Sequence, residues 1–110
     1  MKLEGRIYVA GHRGLIGSAV LRALEQSGHR DVVIRTRREL ELCDAAAVSA
    51  FFAASRPDYV ILAAGRVGGI VVNRDFPADF ISENLAIQGN VIGAAQRAGV
   101  KRLIFFASSC

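Results

Sequence analysis

Four short apolar runs punctuate the chain, and stretches of helical periodicity separate them. Residues 6–10, 31–36, 59–63 and 102–106 each hold consecutive branched or aromatic residues, as in Val32-Val33-Ile34 and Tyr59-Val60-Ile61-Leu62. Short runs without alternation fit strands covered on both faces. After the first run, Leu15, Ile16, Ala19, Val20, Leu21 and Leu24 recur at helical spacing, and Gly28 closes that helix. Asp44 is placed to cap a helix over 45–55 that presents Val48, Phe51 and Phe52 and ends before Pro57. Beyond a glycine-rich loop over 65–75, a long helix over 78–98 sets Phe80, Asn84, Ile87, Val91 and Ala94 on one face, and Gly99 ends it.

The resulting order, βαβαβαβ, predicts an α/β fold with a doubly wound parallel sheet and helices on both faces. Right-handed crossovers then give the spatial order 3-2-1-4, with a crevice between the first and fourth strands where the winding reverses. In that arrangement Leu103, Ile104, Phe105 and Phe106 form an edge lacking half its cover. The 110 residues are expected to make one unit, the N-terminal part of a longer protein or a chain that pairs with something.

The junction of the first strand and first helix carries Gly11-His12-Arg13-Gly14-Leu15-Ile16-Gly17. A strand feeding a glycine turn that opens a helix presents bare N–H groups and a positive helix end to a pyrophosphate. Gly11 permits the turn, Gly14 lets backbone approach phosphate, and Gly17 allows close packing of helix and strand. The spacing GxxGxxG points to a Rossmann-type dinucleotide loop, resembling the short-chain dehydrogenase/reductase variety more than the plainer GxGxxG fingerprint.

An acidic residue about 20 positions after such a loop receives the ribose 2′-OH of NAD. Here the second strand ends Ile34-Arg35-Thr36-Arg37-Arg38, with no acid at its tip. Guanidinium groups hold a 2′-phosphate, so Arg37 with Arg13 favours NADP; the alternative is that these arginines are solvated strand-end residues. Asp44 has two readings, a helix cap or an acceptor for the adenine amino group. Ala63 and Ala64 offer small-residue backbone to the adenosine ribose and pyrophosphate.

Composition narrows the choice. A net charge of +4 raises nucleic acid as a partner, but the basic residues form no long block with interleaved aromatics, so none is expected. Cys43 and Cys110 have no metal spacing and make no disulfide framework. No metal is expected, and Cys43 reads as core filler. With no leader and no run near the roughly 20 apolar residues that cross a bilayer, the protein is expected in the cytoplasm, off the membrane. His12 is expected to lend its backbone to the turn with its ring directed away, and His29 to be exposed.

Taken together, GHRGLIGSAV, RTRRELELCD, ILAAGRVGGIVVN, PADFISENLAIQGNVI and FFASSC resemble the extended short-chain dehydrogenases, and within them the GDP-L-fucose synthase group. The resemblance spans essentially the whole chain. It implies an NADPH-dependent enzyme that epimerises GDP-4-keto-6-deoxy-D-mannose at two carbons and then reduces it, working as a homodimer. It implies that residues 11–17 bind pyrophosphate and that Arg13 and Arg37 hold the 2′-phosphate, with Ala107 and Ser108 beside the cofactor. It also implies that Ser108 hydrogen-bonds the C4 carbonyl and that Cys110 moves the proton of epimerisation. Without those motifs, Ser108 and Ser109 would read as a strand-end turn and Cys110 as a small buried residue. Arg66 stands where the group more often has lysine, ahead of Val67, Gly68 and Gly69. Asn84 reads either as a bond to strand four or as a polar helix-face residue.

One departure is plain. The family's Tyr-x-x-x-Lys pair is missing, because neither Tyr8 nor Tyr59 has a lysine four residues on. Two other functions therefore stay open: a different NAD(P)-dependent nucleotide-sugar epimerase or dehydratase, and an NADP-binding module without catalysis.

Overall fold

The computed structural model describes residues 5–63 and 77–105. The elements are β1 (Ile7–Ala10), α1 (Leu15–Gln26), β2 (Val32–Ile34), α2 (Ala45–Ser55), β3 (Tyr59–Leu62), α3 (Pro77–Arg97) and β4 (Arg102–Phe105). All lie within a residue or two of the boundaries expected from the pattern.

The strands form one parallel sheet, in the order β2-β1-β3-β4. The fold class is the expected one, but the strand order 3-2-1-4 is not. After β2 the chain does not step outward; it crosses back over β1 and lays β3 on the other side. A right-handed crossover in that reversed direction puts α2 on the face opposite α1. The winding thus reverses between β1 and β3, not between β1 and β4.

Alternation along the strands feeds two cores. Tyr8, Ala10, Val60 and Leu62 point to the α2 and α3 side, where Val48, Phe52, Ile87, Val91, Ala94 and Ala95 bury against them. Ile7, Val9 and Ile61 point to the α1 side, where the half-buried Val20 and Leu24 pack against them. The first core is the larger, and its aromatic centre is tight. The Tyr8 ring lies 4.6 Å from Phe51 and 5.9 Å from Phe52, the latter edge-on. Burial pushes the Tyr8 hydroxyl well above its ordinary pKa.

Polar ties close the N-terminal ends of the strands. Asp58 accepts the Arg6 backbone N–H at 2.8 Å, and Arg6 Nε reaches Asp31 at 3.1 Å. His29 Nε2 lies 3.0 Å from the Gly5 carbonyl, so this histidine is half-buried in that seam rather than merely exposed. Helix α1 ends in a Schellman turn: Gly28, at φ +83°, donates to Glu25 O, and His29 N–H reaches Leu24 O at 3.0 Å. β4 is the outer strand on its side, with Ile104 and Phe105 about 40% exposed, as the sequence implied. No helix among the described residues is long and apolar enough to cross a membrane.

Candidate functional site

Strand β1 delivers the chain to Gly11, whose φ of +85° is left-handed backbone that glycine adopts without strain. The turn closes when the Gly14 N–H donates to the Gly11 carbonyl at 3.1 Å. Helix α1 then starts with Gly14 at its N-cap position and no acid in its first turn, leaving its leading N–H groups without a side-chain acceptor. Gly17 is buried one turn on, and a Cβ there would fall 1.9 Å from the Gly11 carbonyl oxygen. At Gly14 the corresponding contact would be an ordinary 3.5 Å. The fold itself therefore requires glycine at 11 and 17 but not at 14.

The tip of β2 is built by a reciprocal turn over residues 36–39. The Thr36 N–H donates to Glu39 Oε1 at 2.8 Å, and Glu39 N–H donates to Thr36 Oγ1 at 3.3 Å. The hydrogen bond from the Thr36 backbone, more than any other influence, holds the Glu39 carboxyl below the ordinary glutamate range. This turn carries Arg37 and Arg38 outward and drops Leu40 into the core. Arg35 lies over the Phe51 ring at 5.3 Å and donates from Nη1 to the Ile34 carbonyl at 2.7 Å. Arg37 Nε meets Glu41 Oε2 at 3.0 Å, and that bond lowers the Glu41 pKa. From α3, Asn90 Nδ2 donates to the Leu42 carbonyl at 2.8 Å and pins the segment that follows.

Between these two turns opens a cleft of about 260 Å³ at the C-terminal ends of the strands. Gly11, His12, Arg13 and Gly14 form one side; Arg35, Thr36, Arg37 and Glu41 form the other. Its floor is apolar, from Tyr8, Leu40, Leu42, Ala63 and Ile87. An apolar base with a few convergent charged groups suits a flat ring carrying anionic substituents.

Of the residues singled out from sequence, Gly11, His12, Arg13, Gly14, Arg37 and Ala63 meet in this cleft. His12 is part of the cleft wall, and its charge adds a small further depression to the Glu39 pKa. Leu15, Ile16 and Gly17 do not line it; Leu15 is 88% exposed at the helix start. Asp44 stands outside the lining too. Its Oδ1 accepts from the N–H groups of Ala46 and Ala47 at 3.1 and 3.2 Å, which is the cap reading of that residue. Cys43 is exposed, not core filler, because the chain turns outward between Leu42 and the α2 cap. Ala64, Ala107, Ser108 and Cys110 lie outside the described residues, as do Arg66, Val67, Gly68 and Gly69 and the side chains of Phe80 and Asn84. Among the described residues no cluster of histidine, cysteine or carboxylate groups is arranged for a metal ion.

The model of the NAD dependent epimerase/dehydratase family matches residues 7–110. The chain belongs to that family. Among curated relatives it is 56% identical over 107 residues to a probable GDP-L-fucose synthase 1 of Oryza sativa subsp. japonica, covering 96% of this chain and 33% of that protein. It is 53% identical over 105 residues to the GDP-L-fucose synthase of Escherichia coli strain K12, covering 96% of this chain and 33% of that enzyme. Among solved structures, MlghC, the GDP-mannoheptose C4 reductase from Campylobacter jejuni with NADP bound, superposes with a TM-score of 0.91 at 42% identity. That match covers 97% of this chain and 34% of the reductase. The chain thus spans about a third of the length of these relatives.

Sequence reasoning had not placed Arg35, Thr36, Leu40, Glu41, Leu42 or Ile87 at the cleft. A signal for Thr36 was present: Thr-x-x-Glu over residues 36–39 is a capping-box pattern that fixes a tight turn at the strand tip. The spacing of Leu40 and Leu42, one buried and one half-buried beneath that turn, carried no comparable mark.

Proposed function

We propose that this chain is the cofactor-binding part of an NADPH-dependent GDP-sugar epimerase-reductase, converting GDP-4-keto-6-deoxy-D-mannose to GDP-L-fucose. One observation carries the cofactor assignment: Arg13, Arg35 and Arg37 converge on the same cleft as the bare glycine turn. The N–H groups behind Gly11 and at the start of α1 suit a pyrophosphate. The apolar floor suits an adenine ring, and the guanidiniums suit a phosphate ester on its ribose. Glycine at 14, which the fold does not require, leaves room for ligand oxygens against the backbone. The sugar assignment rests on the resemblance to the GDP-L-fucose synthases of rice and Escherichia coli.

When bound, NADPH supplies the hydride for the reduction. This chain's own residues do the rest of what it contributes. The turn from Gly11 to Gly14 binds and orients the pyrophosphate, with the backbone N–H groups of Leu15 and Ile16 at the mouth of the helix behind it. Ala63, Ala64 and Ala107 are assigned to contact the cofactor through their small side chains and backbone. Ser108 holds and polarises the C4 carbonyl, and Cys110 shuttles a proton at the epimerised carbons. Tyr8 does not fit the family's proton-donating tyrosine, because it is buried in the core and no lysine follows it four residues on. The chain by itself is therefore expected to bind NADPH without completing the reduction, and the whole protein to act as a cytoplasmic homodimer.

A second reading keeps the cofactor and changes the sugar. The match to a GDP-mannoheptose C4 reductase at 42% identity supports a GDP-sugar C4 reductase of another specificity. Calorimetric titration with NADPH and NADH tests the cofactor reading. Arg37→Glu should weaken NADPH about ten-fold or more while leaving NADH within about two-fold. Equal losses for both, or no binding by folded protein, would remove the assignment.

A further inference from the structure

Arg37 does not meet the cleft alone. Its Nε lies 3.0 Å from Glu41 Oε2, and both residues line the cavity. The carboxylate is fixed on its other side as well, since Glu41 Oε1 accepts the Cys43 backbone N–H at 3.2 Å. The main chain adds to this restraint: the Asp44 N–H donates to the Glu41 carbonyl at 3.0 Å, closing a turn around it. Glu41 is thus a positioned anion inside the cleft wall, held against the guanidinium assigned to a phosphate ester. Glu39 is not its equivalent, because the carboxylate of Glu39 is engaged by the Thr36 N–H and the residue does not line the cleft.

Resting on the NADP reading above, we propose that Glu41 is a specificity-determining residue: it competes with the ribose 2′-phosphate for Arg37 and so narrows the preference for NADP over NAD. A phosphate dianion arriving at Arg37 must displace or share a bond that the carboxylate already makes, and it does so next to a like charge. An unphosphorylated ribose meets neither cost. Both side chains are substantially solvated, with 69% and 42% of their surface exposed, so the competition is modest and salt-screened.

The test is calorimetric titration of NADP⁺ and NAD⁺ into wild type, Glu41→Gln, Arg37→Ala and the double variant, with circular dichroism confirming that each is folded. Glu41→Gln is expected to raise the ratio of NADP⁺ to NAD⁺ affinity about five-fold, the factor that one solvated ion pair commands. In the Arg37→Ala background the same change should leave the ratio within about two-fold. A ratio that falls or stays constant in Glu41→Gln, or an equal gain without Arg37, overturns the proposal. If folded wild type binds neither dinucleotide, the cofactor reading itself fails and the proposal falls with it. Strong NADP⁺ binding with an unmoved ratio fails the proposal alone.

Discussion

Replacing Gly17 by alanine separates a glycine that the fold needs from one that a ligand needs. The added Cβ would lie 1.9 Å from the Gly11 carbonyl oxygen, 2.6 Å from its carbon and 3.0 Å from His12 Cα. Since real Cβ contacts do not fall below 3.0 Å, turn and helix must part by roughly 1 Å. All three obstacles are backbone, so no side chain can swing aside. Overpacking of this kind costs about 1–3 kcal/mol, and an unyielding backbone puts it at the upper end. Alanine returns about 1 kcal/mol through helix propensity. The net loss is about 2 kcal/mol, or a fall of about 10 °C in Tm for a domain of this size.

Gly14→Ala is the control. Its φ of −78° is open to any residue, and its Cβ would meet only the Gly11 carbonyl at 3.5 Å. Stability should stay within about 0.5 kcal/mol, while NADP⁺ binding drops about ten-fold or more as a methyl group enters the phosphate approach. Thermal and urea unfolding followed by circular dichroism, with calorimetry for the ligand, measures both. Equal stability losses at 14 and 17, or a Gly17→Ala protein as stable as wild type, would show that the close approach of turn and helix does not set the requirement for glycine.

Asp58→Ala removes the acceptor of the Arg6 N–H and should lower stability by about 1–2 kcal/mol, seen as a shifted urea midpoint at constant m; an unchanged midpoint would show that the seam contributes little. Asp44→Ala leaves the Ala46 and Ala47 N–H groups uncapped and should cost about 1 kcal/mol, with Asp44→Ser recovering most of it in the same melts. The Glu39 carboxyl titrates below its unfolded value, so its contribution to stability is present above about pH 4.3 and is lost as pH falls through the lower folded value. Glu39→Gln should therefore flatten the acid limb of the stability profile, and superimposable limbs would contradict that assignment.

Element positions were legible because each strand is a dense apolar run and each helix has its own stop signal, Gly28, Pro57 or Gly99. The strand order was not, because crossover direction leaves no local mark in the chain. A partial cue existed in the strands themselves. β2 is three residues between Asp31 and Arg35, all half-buried, as befits an edge; β3 runs longer and is almost wholly buried, as befits the interior. The glycine turn could be read because the geometry of a left-handed turn and a close helix approach admits few residue types. Arg37 could be read from its place at a strand tip. Its partner Glu41 could not, since an exposed glutamate four residues later usually signals only a solvated pair. The bond from Asn90 to Leu42 spans 48 positions, a separation at which local pattern is silent.

The most direct measurement is a crystal structure of the protein with NADP⁺. The pyrophosphate is expected against the turn at Gly11–Gly14 and the 2′-phosphate against Arg13, Arg35 and Arg37, over the floor of Leu40, Leu42 and Ile87. A nucleotide lodged elsewhere, or one whose 2′-phosphate points away from all three arginines, would contradict it.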